Sequence, residues 1–215
     1  MVINHLSHTT KILKSTLILL LVWNTLTEEV PPLPSVFVAD FSANLENPLK
    51  GTYNSSGIHY YDYENERQRV DIGDGAGDVF CGSIFPFRNK KCQKIYKEGK
   101  LYLNFPDEKY CCRCCKAKGA AKIYPPTYFK DAKQDGSGTD ENGNSYSIYK
   151  LDGGYPKYTY EIYSESGLPK RIYLHPVANY NYELSSFKKE VTDADFDLPK
   201  KCSKICPSLS FCSVA

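Results

Sequence analysis

The sequence predicts a mainly β protein: a single antiparallel sheet, strongly curled into a half-open β-barrel, with one or two short helices and disulfide staples. Three observations carry this expectation. Short segments alternate polar and apolar residues with period two, as strands with one buried face do. Turn residues separate these segments at hairpin-like spacing. Nine cysteines punctuate the chain, four of them within Cys111-Cys112-Arg113-Cys114-Cys115.

In chain order, Val36-Phe37-Val38-Ala39-Asp40-Phe41 reads as a first strand. The stretch from Asn44 to Asn54 holds Asn47-Pro48 and Gly51 and reads as a turn region. Ile58 to Tyr63 reads as the second strand and Gln68 to Ile72 as the third, with Glu64-Asn65-Glu66 turning between them. Gly73 to Asp78 is a Gly-rich loop, and Val79 to Phe85 has strand composition. The basic stretch around Cys92 (Arg88, Lys90, Lys91, Lys94, Lys97) reads as a connection with a solvated face. Leu101 to Phe105 alternates, and Pro106-Asp107 ends it. Pro125 to Ala132 is the best helix candidate, because Pro is tolerated at a helix start. Asp135 to Asn144 reads as a polar loop and Tyr146 to Leu151 as a strand. Tyr158 to Tyr163, Ser164 to Gly167 and Lys170 to Leu174 form a strong hairpin signal. Tyr180 to Phe187 reads as the last strand, which brings the expected total to roughly eight to ten.

The 215 residues suit one all-β domain, and 18 tyrosines suit half-buried pleated strands. Lys11 and Lys14, followed by the apolar run Ser15 to Trp23, read as a secretory signal peptide over 1–27. That run is shorter than the ~20 residues of a spanning helix, so no transmembrane segment is expected after its removal. A Pro-rich lead-in (28–35), the curled sheet domain (36–201) and a cysteine-bearing tail (202–215) complete the expected organisation. Losing the two signal lysines lowers the basic count from 27 to 25, against 25 acids. A near-neutral chain with scattered arginines does not offer the concentrated basic surface that nucleic acid requires.

A signal peptide with nine cysteines implies an oxidising compartment, extracellular or lumenal. Neighbouring cysteines rarely have the separation that a disulfide needs. The cluster Cys111, Cys112, Cys114 and Cys115 is therefore expected to reach distant partners among Cys81, Cys92, Cys202, Cys206 and Cys212, tying the middle of the chain to its end. Four disulfides and one leftover thiol are expected, without assigned pairs. Asn54-Ser55-Ser56 is an N-glycosylation sequon.

No catalytic constellation emerges, and no cofactor is expected. Cys-x-x-Cys occurs twice in the cluster, but the α/β context of a thiol oxidoreductase is missing. A zinc site built from the cluster and Cys202-x-x-x-Cys206 is outweighed by disulfide formation, so no metal is expected. Asp71, Asp74 and Asp78, and Asp135, Asp140 and Glu141, do not follow the calcium-loop ligand pattern. His59 reads as a sheet residue whose ring meets water. The aromatic and aliphatic stripes remain. Leu101, Leu103 and Phe105 share one face of their strand; Tyr158, Tyr160 and Ile162 share one face of theirs, opposite Ile172 and Leu174. In a curled sheet with few helices, these eight are the candidate ligand-binding residues, since a wide concave face leaves room for a hydrophobic molecule.

Tyr61-Asp62-Tyr63 followed by Arg67-Gln68-Arg69-Val70-Asp71, then the cysteines, Ser166-Gly167-Leu168-Pro169, and Phe196-Asp197-Leu198-Pro199 with Cys202 resemble a group of secreted ciliate and plant proteins. That group looks distantly like ependymin-related proteins, which are similar in fold to lipoprotein carriers of the LolA type. The resemblance spans about residues 35 to 206. It implies a curled half-barrel that holds acyl chains on its concave face, without catalytic residues. Relatives tend to carry Trp where Pro126-Thr127-Tyr128 and Ile148-Tyr149 stand here, and a further cysteine where Gly119-Ala120-Ala121 stands. The leading expectation is thus a secreted, non-catalytic binder of a lipid or other hydrophobic molecule. The alternative is an extracellular or cell-surface interaction protein with a filled core and a protein partner.

Overall fold

The computed structural model describes residues 29–47, 51–86, 88–116, 123–152, 157–200 and 202–207. The expected signal peptide, Cys212 and the rest of the tail beyond 207 lie outside the described residues, as does the side chain of Cys115. No helix among the described residues is long and apolar enough to cross a membrane.

Eleven strands form one antiparallel sheet: β1 (Val36–Asn47), β2 (Gly51–Asp62), β3 (Arg67–Ile72), β4 (Cys92–Lys97), β5 (Lys100–Phe105), β6 (Tyr110–Lys116), β7 (Lys133–Thr139), β8 (Ser145–Leu151), β9 (Lys157–Tyr163), β10 (Pro169–His175) and β11 (Ala178–Tyr182). Their order is β6-β5-β4-β3-β2-β1-β11-β10-β9-β8-β7. Every pair joins strands that follow one another in the chain except β1 with β11, where Phe41 faces Tyr182 and Ala43 faces Tyr180. Two meanders are therefore zipped together at the centre, and the first and last strands of the chain lie in the middle of the sheet.

Period-two alternation sorts the side chains. Phe37, Ala39, Phe41, Ala43 and Leu45 of β1 all turn to an inner face and are buried. The same face continues through Val70 and Ile72 of β3 and Leu101, Leu103 and Phe105 of β5. The sheet is curled around it. Lys94 of β4 is hydrogen-bonded to Tyr180 of β11, although β3, β2 and β1 lie between those strands. Four strand spacings in a flat sheet amount to ~19 Å, beyond the combined reach of the two side chains, so the sheet bends to close that distance. Gly57 of β2 gives a local reason: a Cβ there would meet the backbone oxygen of Asp71 at 1.7 Å and the ring of Phe41 at 2.7 Å. Only glycine lets β3 and the Phe41 ring approach so closely.

Several sequence expectations are corrected. The turn region 44–54 is mostly strand, because β1 runs to Asn47 and β2 starts at Gly51; Asn54 thus sits within β2 rather than in a turn. Val79 to Phe85 is not a strand. Asp78 Oδ1 accepts the N–H groups of Phe80 and Cys81, both at 3.0 Å, and starts a single helical turn, α1 (Cys81–Ile84). The basic connection is partly a strand, β4, paired on both sides. The polar loop from Asp135 is also partly a strand: β7 pairs with β8, where Gly138 lies against the Tyr146 ring that a Cβ would strike at 2.6 Å. The helix candidate after Pro125 is a 3-10 turn, Pro126–Phe129. The last strand ends at Tyr182 and gives way to a 3-10 turn, Leu184–Ser186.

The motif residues near Asp62 gather on the outer face. Arg67 Nε donates to Asp62 at 2.7 Å, its Nη1 donates to Asp193 at 2.6 Å, and its guanidinium lies 4.4 Å from the centre of the fully buried Phe196 ring. For Asp62 burial opposes the charge, but hydrogen bonds from Asn65 and Arg67 outweigh it and hold the carboxyl below its usual range. These residues anchor the C-terminal segment to the sheet.

Disulfides finish that anchoring. Cys81–Cys92 fastens α1 to β4, and Cys111–Cys202 and Cys112–Cys206 fasten the tail to β6. Cys114 is disulfide-bonded too. The tail lies along β6 as a parallel bridge, with Arg113 N–H donating to Lys204 at 2.7 Å and Cys206 N–H donating to the Arg113 carbonyl at 3.0 Å. An edge strand that would otherwise recruit another chain is thereby covered. The tail bridges close nearly the same loop, with sequence separations of 91 and 94. Once one is closed, the second removes little further entropy from the unfolded chain. Replacing Cys112 alone by Ala is therefore expected to cost about 1 kcal/mol in urea unfolding. Replacing Cys111, Cys112 and Cys114 together should cost about 4–5 kcal/mol, the value for a loop of about 100 residues. Equal costs for the single and triple variants would contradict shared loop closure.

Candidate functional site

The inner face does not carry one continuous core. One cluster gathers Phe37, Phe41, Leu45, Tyr61, Leu103 and Phe105 with the surrounding strands and α1. A second gathers Tyr149 of β8 and Tyr158, Tyr160 and Ile162 of β9 beneath Val30, Leu33, Phe129 and Ala132. That covering segment is held in place locally: Leu33 N–H donates to the Pro126 carbonyl at 2.9 Å, Tyr61 Oη donates to the Tyr124 carbonyl at 2.6 Å, and Phe129 stacks on Tyr160 at 4.4 Å. Ile172 of β10 packs against both clusters and is the residue they share among the described residues. A seam follows β10 between them.

The eight candidate ligand-binding residues fall on both sides of this seam. Leu101, Leu103 and Phe105 are buried in the first cluster, and Tyr158, Tyr160 and Ile162 in the second. Their packing partners are the protein's own side chains. Ile172 and Leu174 instead remain half-buried along the seam, paired in register with Tyr160 and Tyr158. Val177, whose N–H donates to the Leu174 carbonyl, and Tyr180, paired with Ile172, flank them as partly buried neighbours.

Polar groups also enter the inner face, and the sequence did not single out this arrangement. Lys94 Nζ donates to Asp78 Oδ2 at 2.6 Å, and Lys94 is hydrogen-bonded to Tyr180. Burial works against the Lys94 charge, but Asp78 and then Tyr180 outweigh it and keep the ammonium protonated. His59 Nδ1 lies 2.9 Å from Tyr182 Oη, and its ring packs edge-on against Phe37 at 5.1 Å. The ring is therefore enclosed by aromatic side chains rather than turned to water as expected. Burial, helped by the nearby Lys94 ammonium, lowers the His59 pKa to about 3, so the imidazole is neutral at physiological pH. Burial likewise raises the phenols of Tyr160 and Tyr182, which keep their protons.

Two atoms here are buried without a hydrogen-bond partner among the described residues: His59 Nε2 and Tyr160 Oη. The other ring nitrogen of His59 is bonded to Tyr182, and Tyr160, two strands further along the sheet, pairs in register with Ile172. His59 is held by a phenol, not by a serine, cysteine or carboxylate, so the arrangement lacks the nucleophile–base geometry of covalent catalysis. Among the described residues, no three His, Cys, Asp or Glu side chains are grouped to hold a metal ion. Asp74 and Asp78 of the Gly-rich loop instead accept hydrogen bonds from their own loop and from Lys94.

No family model matches the sequence, and no curated protein does. Among solved structures, an uncharacterised conserved protein from Thermus thermophilus matches 89% of this chain and 98% of its own, at 13% identity and a TM-score of 0.50. A LolA superfamily protein from Nitrosomonas europaea matches 80% of this chain and 94% of its own, at 12% identity and a TM-score of 0.37. The first likeness extends over nearly the whole of both chains and shows a shared fold.

The neutral, enclosed His59 has a measurable consequence. Between pH 6.5 and about 3 the unfolded chain binds a proton that the folded protein refuses. Stability contributed by this site is therefore full above pH 6.5 and falls as the pH drops below it. The slope is up to about 1.4 kcal/mol per pH unit, reduced by whatever exposure the ring retains. Chemical unfolding at pH 6.5 and 4.5 should show this fall in the native protein and a shallower one in His59→Phe. Equal falls in the two proteins would show that other groups account for the dependence.

Proposed function

We propose that this is a secreted, non-catalytic binding protein that holds a hydrophobic small molecule or lipid on the inner face of its half-barrel. The observation that carries the reading is the seam. Among the described residues Ile172 packs against both clusters, and Ile172 and Leu174 stay half-buried between side chains that are largely packed. Covering apolar surface there contributes about 25 cal/mol per Å², so 100 Å² of contact is worth about 2.5 kcal/mol. The sequence resemblance to ependymin-related and LolA-type proteins points the same way. Disulfides such as Cys81–Cys92, Cys111–Cys202 and Cys112–Cys206 fit an extracellular or lumenal compartment. Asn54, exposed on β2, is the glycosylation position in this reading.

A second reading, an extracellular interaction protein with a filled core, draws on a different observation. Six of the eight candidate residues are fully packed, while Ile205 of the tail is 70% exposed. The two readings part on mutation. Native mass spectrometry of the full chain from a eukaryotic secretory host, before and after organic extraction, is expected to show a bound lipid that extraction removes. The extracted protein should then bind a fluorescent fatty-chain probe. Leu174→Glu should weaken that binding at least about tenfold, because a carboxylate in the seam must be desolvated, while Ile205→Glu leaves it unchanged. No adduct and no probe binding would remove the carrier reading in favour of a protein partner.

A further inference from the structure

We infer that Tyr63 is a tyrosine-sulfation site, modified during secretion by a sulfotransferase that draws on a nucleotide phosphosulfate. This rests on the secreted reading above and stands apart from the hydrophobic ligand. Exposure is the first filter, since the enzyme must reach the phenol. Among the described residues Tyr63, at 36%, is the one exposed tyrosine; the others are buried or half-buried. Its ring stacks on Tyr61 at 6.4 Å between centres, and its hydroxyl has no hydrogen-bond partner among the described residues. Strand β2 ends at Asp62, so Tyr63 opens the turn to β3 rather than lying inside the ladder. Glu66 N–H donates to the Tyr63 carbonyl at 3.1 Å and closes that turn. Glu64, Asn65 and Glu66 are exposed along with it.

Charge is the second filter. Asp62 and Glu64 flank Tyr63 directly, and Glu66 follows two residues later. Asp62 is committed to Arg67 at 2.7 Å and to Asn65 at 2.9 Å, so Glu64 and Glu66 are the carboxylates that an incoming enzyme meets. A sulfotransferase holds its anionic sulfate donor in a basic site, and the same positive field attracts carboxylates beside the acceptor phenol. Other tyrosines next to acids fail the first filter. Tyr61, beside Asp62, is 2% exposed, and Tyr182, beside Glu183, is 7% exposed. Tyr60 lies under the Arg69 guanidinium, 5.0 Å from its ring centre. In the reaction the Tyr63 phenolic oxygen attacks the donor sulfur. An O–S bond forms as the S–O bond to the donor phosphate breaks. The nucleotide phosphate leaves with that electron pair, and the phenolic proton passes to a base on the transferase. Nothing is oxidised or reduced. The product adds a negative charge beside Glu64 and Glu66 and makes the turn strongly acidic.

The test expresses the full chain in cultured animal cells fed radiolabelled inorganic sulfate. Protein from the medium is stripped of N-glycans enzymatically, so that only peptide-borne sulfate is counted. The native protein is expected to carry label, and peptide mapping by mass spectrometry to place it on a peptide containing Tyr63. Tyr63→Phe should abolish the label, and the double variant Glu64→Gln with Glu66→Gln should lower it about fivefold. If Tyr63→Phe is not secreted, the peptide map of the native protein decides. Label on another peptide, or label that survives Tyr63→Phe, overturns the proposal. Full labelling of the double variant overturns recognition through the acidic turn. Secreted protein that carries a glycan on Asn54 but no sulfate overturns this proposal and leaves the secreted reading standing. A chain retained in the cells with Asn54 unmodified overturns both.

Discussion

The architecture depends on the curl that brings Lys94 of β4 to Tyr180 of β11 across three intervening strands. An eleven-stranded sheet with one apolar face exposes far more surface than the few short helical turns among the described residues could cover. Among the described residues the sheet covers itself. It bends until side chains from strands far apart in the ladder touch, and the lead-in, the α1 loop and the segment 123–132 fill what remains. The ion pair between Lys94 and Asp78 belongs to the same device. It ties the loop that carries α1 to the strand beneath it, and Cys81–Cys92 repeats that tie covalently. Pairing both buried charges makes the arrangement tolerable, and removing either partner would leave the other stranded.

The same curl explains why polar groups stand in the interior. A residue on the inner face of a curled sheet is enclosed even when its strand is amphipathic. His59, Lys94, Tyr180 and Tyr182 all occupy inward positions of their strands, and curling brings them together. Lys94 is satisfied by Asp78 and Tyr180. His59 and Tyr160 are each left with an unused atom, Tyr160 beside Ile172 at the seam and His59 among the rings of Phe37, Tyr61 and Tyr182.

Much of the fold was legible where alternation was clean. Strands β3, β5, β8 and the β9–β10 hairpin appear close to their expected places, and the pairing of Tyr160 with Ile172 follows from that hairpin. The cysteine cluster reaches the tail as expected, through Cys202 and Cys206. Legibility failed where composition pointed away from strand. Lys94 sits in a run of lysines that looked solvated, and only Asp78, sixteen residues earlier, explains its burial. The glycines of β7 suggested a loop, but Gly138 makes room for Tyr146 on the neighbouring strand. In β2, His59, Tyr60 and Tyr61 place aromatic rings on both faces, so alternation could not say which way His59 points. The seam was not readable at all, because it arises from how two clusters on distant strands meet.

The central claim is that the inner face offers a ligand surface at the seam and nowhere within its packed clusters. Methyl-labelled NMR of the delipidated full chain, titrated with a long-chain alcohol, tests it most directly. The account predicts that the methyl signals of Ile172 and Leu174 shift and show contacts to the ligand, while those of Leu103 in the first cluster and exposed Ile205 in the tail stay in place. Shifts confined to Ile205, or none at Ile172 and Leu174 under saturating ligand, would contradict it.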